Sequence, residues 1–378
     1  MINHDRLAGE FAELAAIASP PRKEAAIARY LAERLQRLGG EVCFDQSEAA
    51  TGGEVGNLVA RFPATGRDTT PLLFSVHMDT VEPCAGVMPI LKEGIFESAG
   101  DTVLGADDKA GIAELIEALE VMREQQIPRG SIEVVVTVAE EVGLVGAKNF
   151  DFSLIRSRYG FALDTPGVDV MVLQAPAANR IKVELFGRES HAGVAPEAGV
   201  SAIHTAALAL ARMRLGRIDH ETTANFGKVE GGVACNIIAG SVFLEGEARS
   251  HDPAKLRQQT DHMRSCFEAA AAELRQEIDG EVRPRVRFDV QPDYPAMAVS
   301  ETAQVVQLAR TAAAAVDHPL TVKIGGGGSD ANIFNEQGLE MIILGTGMQQ
   351  VHSCQEKVAV ADMAHVAELL VSIMRQTG

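Results

Sequence analysis

Imidazole and carboxylate side chains follow several apolar runs of this chain, at the point where each run ends. They are His77 after residues 72–76, Glu140 and Glu141 after residues 132–138, Asp164 after residues 161–163, and His352 on a loop beyond residues 341–344. Asp107 opens an amphipathic stretch between two of these runs. If the runs are strands of one α/β sheet, these side chains lie at the edge where such sheets bind ligands, beyond the carboxyl ends of the strands. Each residue alone has an ordinary structural explanation, but together they favour a shared site.

A cluster of two histidines and three carboxylates needs positive charge to balance it, because like charges in a partly buried site repel one another. Divalent metal ions supply that charge, and imidazole with carboxylate suits zinc, manganese or cobalt. Two ions that share one carboxylate would use all five ligands. Glu140 and Glu141 are adjacent and point in different directions, so one can bind metal while the other stays free as a general base. Asp79, two residues after His77, is placed to orient a histidine ligand.

The stretch from residue 103 to residue 119 must position the two adjacent aspartates. Its apolar residues repeat at helical spacing, which predicts a helix that begins just after Asp108. Asp108 is then explained as a helix cap that accepts backbone N–H groups of the first turn. The cap does not explain Asp107. A role for Asp107 as a metal ligand requires that other ligand-type side chains lie close to it.

The rest of the chain alternates between helical patterns and short apolar runs, which predicts an α/β sheet buried on both faces. In the middle the order becomes β-α-β-β-α-β, the order of a ferredoxin-like sandwich. We therefore predict a metal-binding α/β domain formed by residues 1–176 and 293–378, and an inserted α+β domain formed by residues 177–292. The predicted hinges are Pro176 and residues 291–295. Within the insertion, the last helix is predicted at residues 253–278 and the last strand at residues 282–290.

Composition excludes several classes of partner. The chain has 378 residues and a formal net charge of −18, which disfavours binding to nucleic acid or to an anionic membrane surface. Its five cysteines are scattered and form no Cys-x-x-Cys pair, so neither a disulfide framework nor a thiolate zinc site is expected. We find no signal-peptide pattern and no apolar stretch of the ~20 residues needed to span a bilayer. We expect a cytoplasmic protein.

Five segments in this order resemble the M20 family of co-catalytic metallopeptidases, and within it the peptidase T (tripeptide aminopeptidase) branch. They are His77-Met-Asp79, Gly105-Ala-Asp-Asp-Lys-Ala-Gly111, Ala139-Glu-Glu-Val-Gly143, Gly187-Arg-Glu-Ser-His-Ala-Gly193 and Gly325-Gly-Gly-Gly-Ser-Asp330. The resemblance runs nearly end to end. It implies a zinc-aminopeptidase-like mixed sheet flanked by helices, with an inserted ferredoxin-like lid that pairs two subunits into a homodimer.

The resemblance also implies roles for individual residues. His77, Asp107 and Asp164 would bind one ion, and Asp107, Glu141 and His352 the other, with zinc expected and cobalt or manganese as alternatives. Glu140 would act as the general base, Asp79 would belong to the catalytic residues, and His191 would help to bind the oxyanion. Substrate binding would involve Asn236, Arg249, Gly327 and Ser329. One departure is that the branch has an arginine just before its glycine-rich loop, where this chain has Lys323.

The sequence therefore predicts hydrolysis of amide bonds in short peptides, with release of the N-terminal residue. One alternative is an N-acyl amino acid amidohydrolase or a carboxypeptidase of the same family, since these share the metal motifs. A second is a non-catalytic metal-binding scaffold, against which Glu140 argues because metal binding does not need it. Five other histidines have no convincing ligand-type neighbours and are interpreted as surface or packing residues: His204, His220, His251, His262 and His365.

Overall fold

The computed structural model describes residues 1–67 and 70–378. Within them, the α-helices in chain order are α1 His4–Ala15, α2 Ala25–Arg37, α3 Glu48–Thr51, α4 Ala106–Glu124, α5 Val145–Lys148, α6 Ala202–Arg212, α7 Pro253–Glu273, α8 Gln304–Ala315, α9 Asp330–Glu336 and α10 Val360–Arg375.

The strands of the same residues, also in chain order, are β1 Glu41–Phe44, β2 Leu58–Phe62, β3 Leu72–His77, β4 Pro89–Lys92, β5 Ile95–Ser98, β6 Ile132–Thr137, β7 Tyr159–Leu163, β8 Val170–Ala175, β9 Ala177–Phe186, β10 Gly216–Arg217, β11 Thr222–Gly231, β12 Ser241–Ser250, β13 Gln276–Ile278, β14 Glu281–Arg283, β15 Arg285–Tyr294, β16 Met297–Ala298, β17 Thr321–Ile324, β18 Glu340–Leu344 and β19 Lys357–Ala359.

The chain forms two compact units, of which the first contains Met1–Ala175 and Met297–Gly378. Its main sheet has the order β1-β2-β6-β3-β7-β18-β8-β16, with β17 also paired to β8. The four central strands β6, β3, β7 and β18 run parallel, while the flanking pairs of the path are antiparallel. Strands β3, β6 and β7 are buried along their whole length, because helices cover both faces of such a sheet. The predicted α/β class, a mixed sheet flanked by helices, is confirmed.

Helix α4 lies in the interior of the first unit. The acidic residues Glu114 and Glu117 are buried. The apolar residues that repeat at helical spacing are at most 4% exposed, and they are Ile112, Leu115, Ile116 and Leu119. The helix packs against α1 and α10, so it is enclosed rather than half exposed. Asp107 and Asp108 have non-helical backbone angles, and regular helix begins at Lys109. The predicted start just after Asp108 is therefore confirmed for the regular part of the helix.

The second unit spans Pro176–Ala296, and its four long strands and two α-helices follow the predicted order. Its antiparallel sheet is β10-β11-β12-β9-β15, so the four long strands have the order of a ferredoxin-like fold. The core of this unit joins the inner face of β9, represented by Ile181, Val183 and Leu185, to Met263 and Phe267 of α7. Among the described residues of the whole chain, no helix has the length and apolar character that crossing a membrane requires.

Two predictions for the end of this unit were wrong. Helix α7 ends at Glu273 rather than at residue 278, because a hairpin of β13 and β14 follows it. Its turn is Asp279-Gly280, both with positive φ, and Asp-Gly is a strong hairpin signal that the helix prediction overlooked. The last long strand, β15, then runs to Tyr294, which still pairs with Ala178. The predicted hinge at residues 291–295 is thus mostly strand, and the unit ends at Ala296.

Candidate active site

Three neighbouring parallel strands of the first unit deliver the predicted side chains to one edge of the sheet. His77 is the last residue of β3, Glu140 and Glu141 follow β6, and Asp164 follows β7. Because β6, β3 and β7 are adjacent and parallel, their carboxyl ends lie side by side. Asp107 reaches the same place from the first residues of α4. The structure therefore brings together residues that are as much as 87 positions apart in the sequence.

The two carboxylate oxygens of Asp107 face two different imidazoles. Oδ1 lies 3.0 Å from His77 Nε2, and Oδ2 lies 3.3 Å from His352 Nε2. Around the first imidazole, Asp164 Oδ1 is 3.9 Å from His77 Nε2. Around the second, Glu141 Oε2 is 3.0 Å from His352 Nε2. Two groups of three potential ligands result, His77–Asp107–Asp164 and Asp107–Glu141–His352, and they share Asp107.

Asp79 orients more of the site than the sequence predicts. The Nδ1 atom of His77 lies 3.0 Å from the backbone oxygen of Asp79 and 3.5 Å from its carboxylate. The imidazole therefore donates mainly to the backbone, which leaves Nε2 directed at Asp107. The Asp79 carboxylate instead accepts hydrogen bonds from the backbone N–H groups of Glu140, at 2.9 Å, and Glu141, at 3.1 Å. One residue thus fixes the ends of both β3 and β6.

The site concentrates negative charge in a buried place. Burial raises the pKa of Asp164 to about 8, and the neighbouring charge of Asp107 adds to this effect. Burial likewise raises the pKa of Glu140 well above its usual range, with a further contribution from Asp164. Hydrogen bonds to Asp107 and Glu141 raise the pKa of His352 to about 10. These shifts show that the cluster favours added positive charge, either as protons or as cations.

The donor set fits a pair of divalent cations. Each group of three offers imidazole nitrogen and carboxylate oxygen, the ligands that zinc and similar ions take in proteins. Among the described residues, the buried Oε1 atom of Glu141 has no hydrogen-bond partner. Glu140 lies in the same buried place, with 9% of its surface exposed, but it belongs to neither group of three. It is therefore available for a role other than metal binding.

Three buried acids outside the predicted set position these residues. Glu356 is 2% exposed, and its carboxylate accepts hydrogen bonds from the backbone N–H groups of Gly105, at 2.7 Å, and Asp107, at 2.9 Å. The helix-cap explanation of Asp108 was wrong, because one of its oxygens accepts from the N–H of His77 at 3.2 Å and the other has no hydrogen-bond partner among the described residues. Glu24 accepts from the N–H before Glu140, that of Ala139, at 3.1 Å. Nothing in the sequence near Glu356 or Glu24 indicated these contacts, because each joins residues that are more than 100 positions apart.

We expect the substitution Glu356→Gln to lower metal affinity about 10- to 100-fold, the range typical of residues that orient metal ligands. The amide keeps one oxygen acceptor but turns an NH₂ group toward the second backbone N–H, so Asp107 loses part of its support. Titration against a competing chelator measures the affinity. Glu336→Gln, at an exposed position of α9, is the matched control. Equal affinity in the two variants would remove Glu356 from the site.

Gly327 and Ser329 lie on the glycine-rich loop between β17 and α9. Ser329 directly precedes α9, and its N–H donates a hydrogen bond to the side-chain oxygen of Asn332 at 3.1 Å. The next residue, Asp330, accepts a hydrogen bond from Thr137 Oγ1 at 2.5 Å, and Thr137 is the end of β6. The loop therefore borders the edge of the sheet that carries Glu140.

The other predicted substrate residues belong to the second unit. His191 and Asn236 are exposed, and their segments are joined by a hydrogen bond from the N–H of Ala192 to the backbone oxygen of Asn236 at 2.9 Å. His191 Nδ1 accepts from the N–H of Gly193 at 3.2 Å. Arg249 lies near the end of β12, while Asn236 precedes its start. At the rise of a strand, this separates them by ~25 Å, so the unit does not bring Arg249 to the other two.

Fold and site together define a class of protein, an α/β protein whose imidazoles and carboxylates cluster at the ligand-binding edge of the sheet and suit a pair of divalent cations. The chain belongs to peptidase family M20/M25/M40, whose model matches residues 73–376. Over 379 aligned residues it is 40% identical to YqjE, an uncharacterised protein of Bacillus subtilis, and the match covers 100% of both chains.

Two solved structures are similar over the whole chain. Aminopeptidase PepT of Bacillus cereus is 41% identical, with a TM-score of 0.87 and coverage of 100% of this chain and 99% of the other. A tripeptidase of Staphylococcus aureus is 38% identical, with a TM-score of 0.92 and the same coverage. The predicted membership of the M20 family, in its peptidase T-like branch, is confirmed.

Proposed function

We propose that this peptidase is a dinuclear, metal-dependent aminopeptidase that removes the N-terminal residue from short peptides. The observation that carries the proposal is the placement of Asp107, whose two oxygens each face a different imidazole, at 3.0 and 3.3 Å. A carboxylate in this position suits a bridge between two ions. The similarity to an aminopeptidase and to a tripeptidase supports short peptides as substrates.

In this proposal His77, Asp107 and Asp164 hold one ion, and Asp107, Glu141 and His352 hold the other. Zinc is the expected metal, because both groups combine imidazole with carboxylate, and cobalt or manganese would suit the same donors. Two such ions, when bound, would polarise the scissile carbonyl and acidify a water molecule. The protein orients His77 and Glu141 through Asp79, and Asp107 through Glu356.

Glu140 is proposed as the general base. It stands beside the ligands without belonging to either group of three, and its backbone is fixed by the carboxylate of Asp79. Burial raises its pKa above the usual range, a direction that favours acceptance of a proton. Glu140 would take a proton from the attacking water and return it to the leaving amine. His191 would donate to the oxyanion that forms on the former carbonyl.

A substrate panel tests the direction of attack. With reconstituted protein we expect release of free leucine from the N-terminus of leucyl-alanyl-glycine, and at least a tenfold loss of activity when the α-amino group is acetylated. The reason is that an aminopeptidase site recognises the free amino group that acetylation removes. Because the three residues differ, amino acid analysis of the products identifies the end from which a residue is released. Cleavage of N-acetylalanine without action on the free tripeptide would transfer the protein to the amidohydrolases, and release of glycine from the carboxyl end would make it a carboxypeptidase.

We further propose that the second unit is a lid and dimerisation domain. Beyond Ala224 the outer edge of β11 has no strand partner among the described residues. Exposed apolar residues occur on this strand and on the adjacent helix and loop, with Val229 55%, Ile203 50% and Val233 71% exposed. An open strand edge beside apolar surface is suited to pairing with a second copy of the chain.

In such a dimer we propose that His191 completes the active site of the partner subunit. Two inactive variants, His191→Ala and Glu140→Ala, are mixed under conditions that exchange subunits. Random pairing makes half of the dimers hybrid, and each hybrid has one site with neither substitution. Roughly a quarter of wild-type activity should therefore return under two-fold symmetry. If exchange is demonstrated by native mass spectrometry and no activity returns, His191 does not act between subunits.

A further inference from the structure

Two histidines away from the candidate active site lie against each other in the first unit. His318 is in the turn between α8 and β17, and His365 is near the start of α10. Their ring centroids are 3.3 Å apart, with the planes inclined by 41°. Packed aromatic rings are usually about 4.5–7 Å apart, so these imidazoles are unusually close. Nothing in the sequence indicates the pairing, and the interpretation that His365 has no ligand-type neighbours was wrong.

A carboxylate completes this cluster. Asp169, in the turn before β8, places Oδ1 2.7 Å from His365 Nε2. One ligand-type atom from each of Asp169, His318 and His365 lies within 4.8 Å of the other two. The three residues come from two separate turns and one helix, and all are partly buried. Two imidazoles and one carboxylate are a common ligand set for zinc sites with an open position.

Hydrogen bonding alone does not account for the cluster. The pair Asp169–His365 is satisfied by its own contact, but the buried Nε2 atom of His318 has no hydrogen-bond partner among the described residues. The nearest acid, Glu368, places Oε2 3.5 Å from that nitrogen without forming a hydrogen bond. A buried polar atom left unpaired costs free energy, and a bound cation would supply the missing partner.

We propose that Asp169, His318 and His365 form a further divalent-metal site, for which Zn²⁺ is the best-suited ion. Glu368 lies three residues after His365 on α10, so the two share one face of the helix. Its side chain is 57% exposed and free to turn, which makes it the available fourth ligand. This proposal is independent of the proposed peptidase activity, because none of these residues belongs to the two groups around Asp107.

An ion at this position would join three parts of the first unit. The backbone oxygen of Asp169 already accepts a hydrogen bond from the N–H of Thr321, at 2.8 Å, so the turn before β8 is attached to the start of β17. His365 would connect the same turn to α10. The connection from β7 to β8 begins with Asp164 and ends with Asp169. The ion would therefore stabilise the segment that also carries a predicted active-site ligand, without contacting substrate.

The test counts zinc in full-length, tag-free protein after loading with zinc and removal of weakly bound ions by gel filtration. We compare wild type with His318→Gln and His365→Gln, which keep the side-chain volume similar, and with His4→Gln, at an exposed position of α1. Each cluster variant should contain one zinc ion fewer per chain than wild type and the control. The difference is the readout, so the result does not depend on how many ions the Asp107 groups hold.

Two further measurements make the result decisive. An anomalous difference map at the zinc edge should show a peak between Asp169, His318 and His365 in wild-type crystals. Trialanine hydrolysis should remain within about twofold of wild type in His318→Gln, whereas loss of the active-site ions would abolish it. Equal zinc contents in all four proteins, or retention only at millimolar free zinc, would overturn the proposal. A variant that fails to fold by circular dichroism is replaced by Asp169→Asn, which is judged by the same difference.

Discussion

Replacing Glu140 with glutamine is expected to leave the metal content unchanged and to lower turnover roughly 100- to 10,000-fold, the contribution typical of a general base. The reason is that Glu140 lies among the ligands but is not part of either group of three. The amide has nearly the same shape and cannot accept the proton. Metal content by elemental analysis and kcat for a free tripeptide are the two measurements.

The adjacent residue provides the comparison that gives this result its meaning. Glu141→Gln should lose metal as well as activity, because Glu141 Oε2 lies 3.0 Å from His352 Nε2 in the second group. Glu33→Gln, on the exposed side of α2, should change neither quantity. Should Glu140→Gln retain normal turnover, Glu140 would have no part in the mechanism; should it lose metal, it would be a ligand instead.

Replacing Asp107 with alanine is expected to weaken both metal sites at once. Its two oxygens face separate imidazoles, at 3.0 and 3.3 Å, so one substitution removes a ligand from each group. We expect activity to fall by more than the roughly 10- to 100-fold typical of residues that only orient a ligand. Metal titration with elemental analysis should show reduced affinity for two ions rather than one.

Asp101→Ala, at an exposed position six residues earlier, is the matched control and should bind metal as wild type does. A wild-type protein that holds a single tight ion, with the same affinity in Asp107→Ala, would contradict the shared-carboxylate arrangement. In that outcome the geometry around Asp107 would describe hydrogen bonding alone. The Glu140 experiment would still stand, because a base can act beside one ion or two.

Part of this site could be predicted because the carboxyl ends of parallel strands lie at the same edge of a sheet. An apolar run that ends in His77, and two more that end in Glu140 and Asp164, must place these residues at one edge if the strands are neighbours. The start of regular helix at Lys109 was predicted in the same way, from local spacing. Where a local signal was overlooked, as at Asp279-Gly280, the prediction of the helix end was wrong.

The contacts of Asp79 and Glu356 were decided by distances between separate elements. Sequence proximity suggested that the Asp79 carboxylate would hold His77, yet its oxygens accept from the backbones of Glu140 and Glu141. Those N–H groups belong to the end of another strand, and their position depends on the parallel register of β3 and β6. Glu356 reaches Asp107 across 249 residues, a contact that no spacing rule encodes.

The sequence by itself determined which residue types stand at the ends of the central strands, because alternation and apolar runs are local properties of the chain. Only the tertiary structure decided which oxygen of Asp107 meets which imidazole, since that depends on packing between a strand, a helix and a distant loop. It also placed His318 and His365 beside Asp169. These residues come from two turns and a helix with no common sequence pattern, and the packing of α8, α10 and β8 in one unit sets the distances between them.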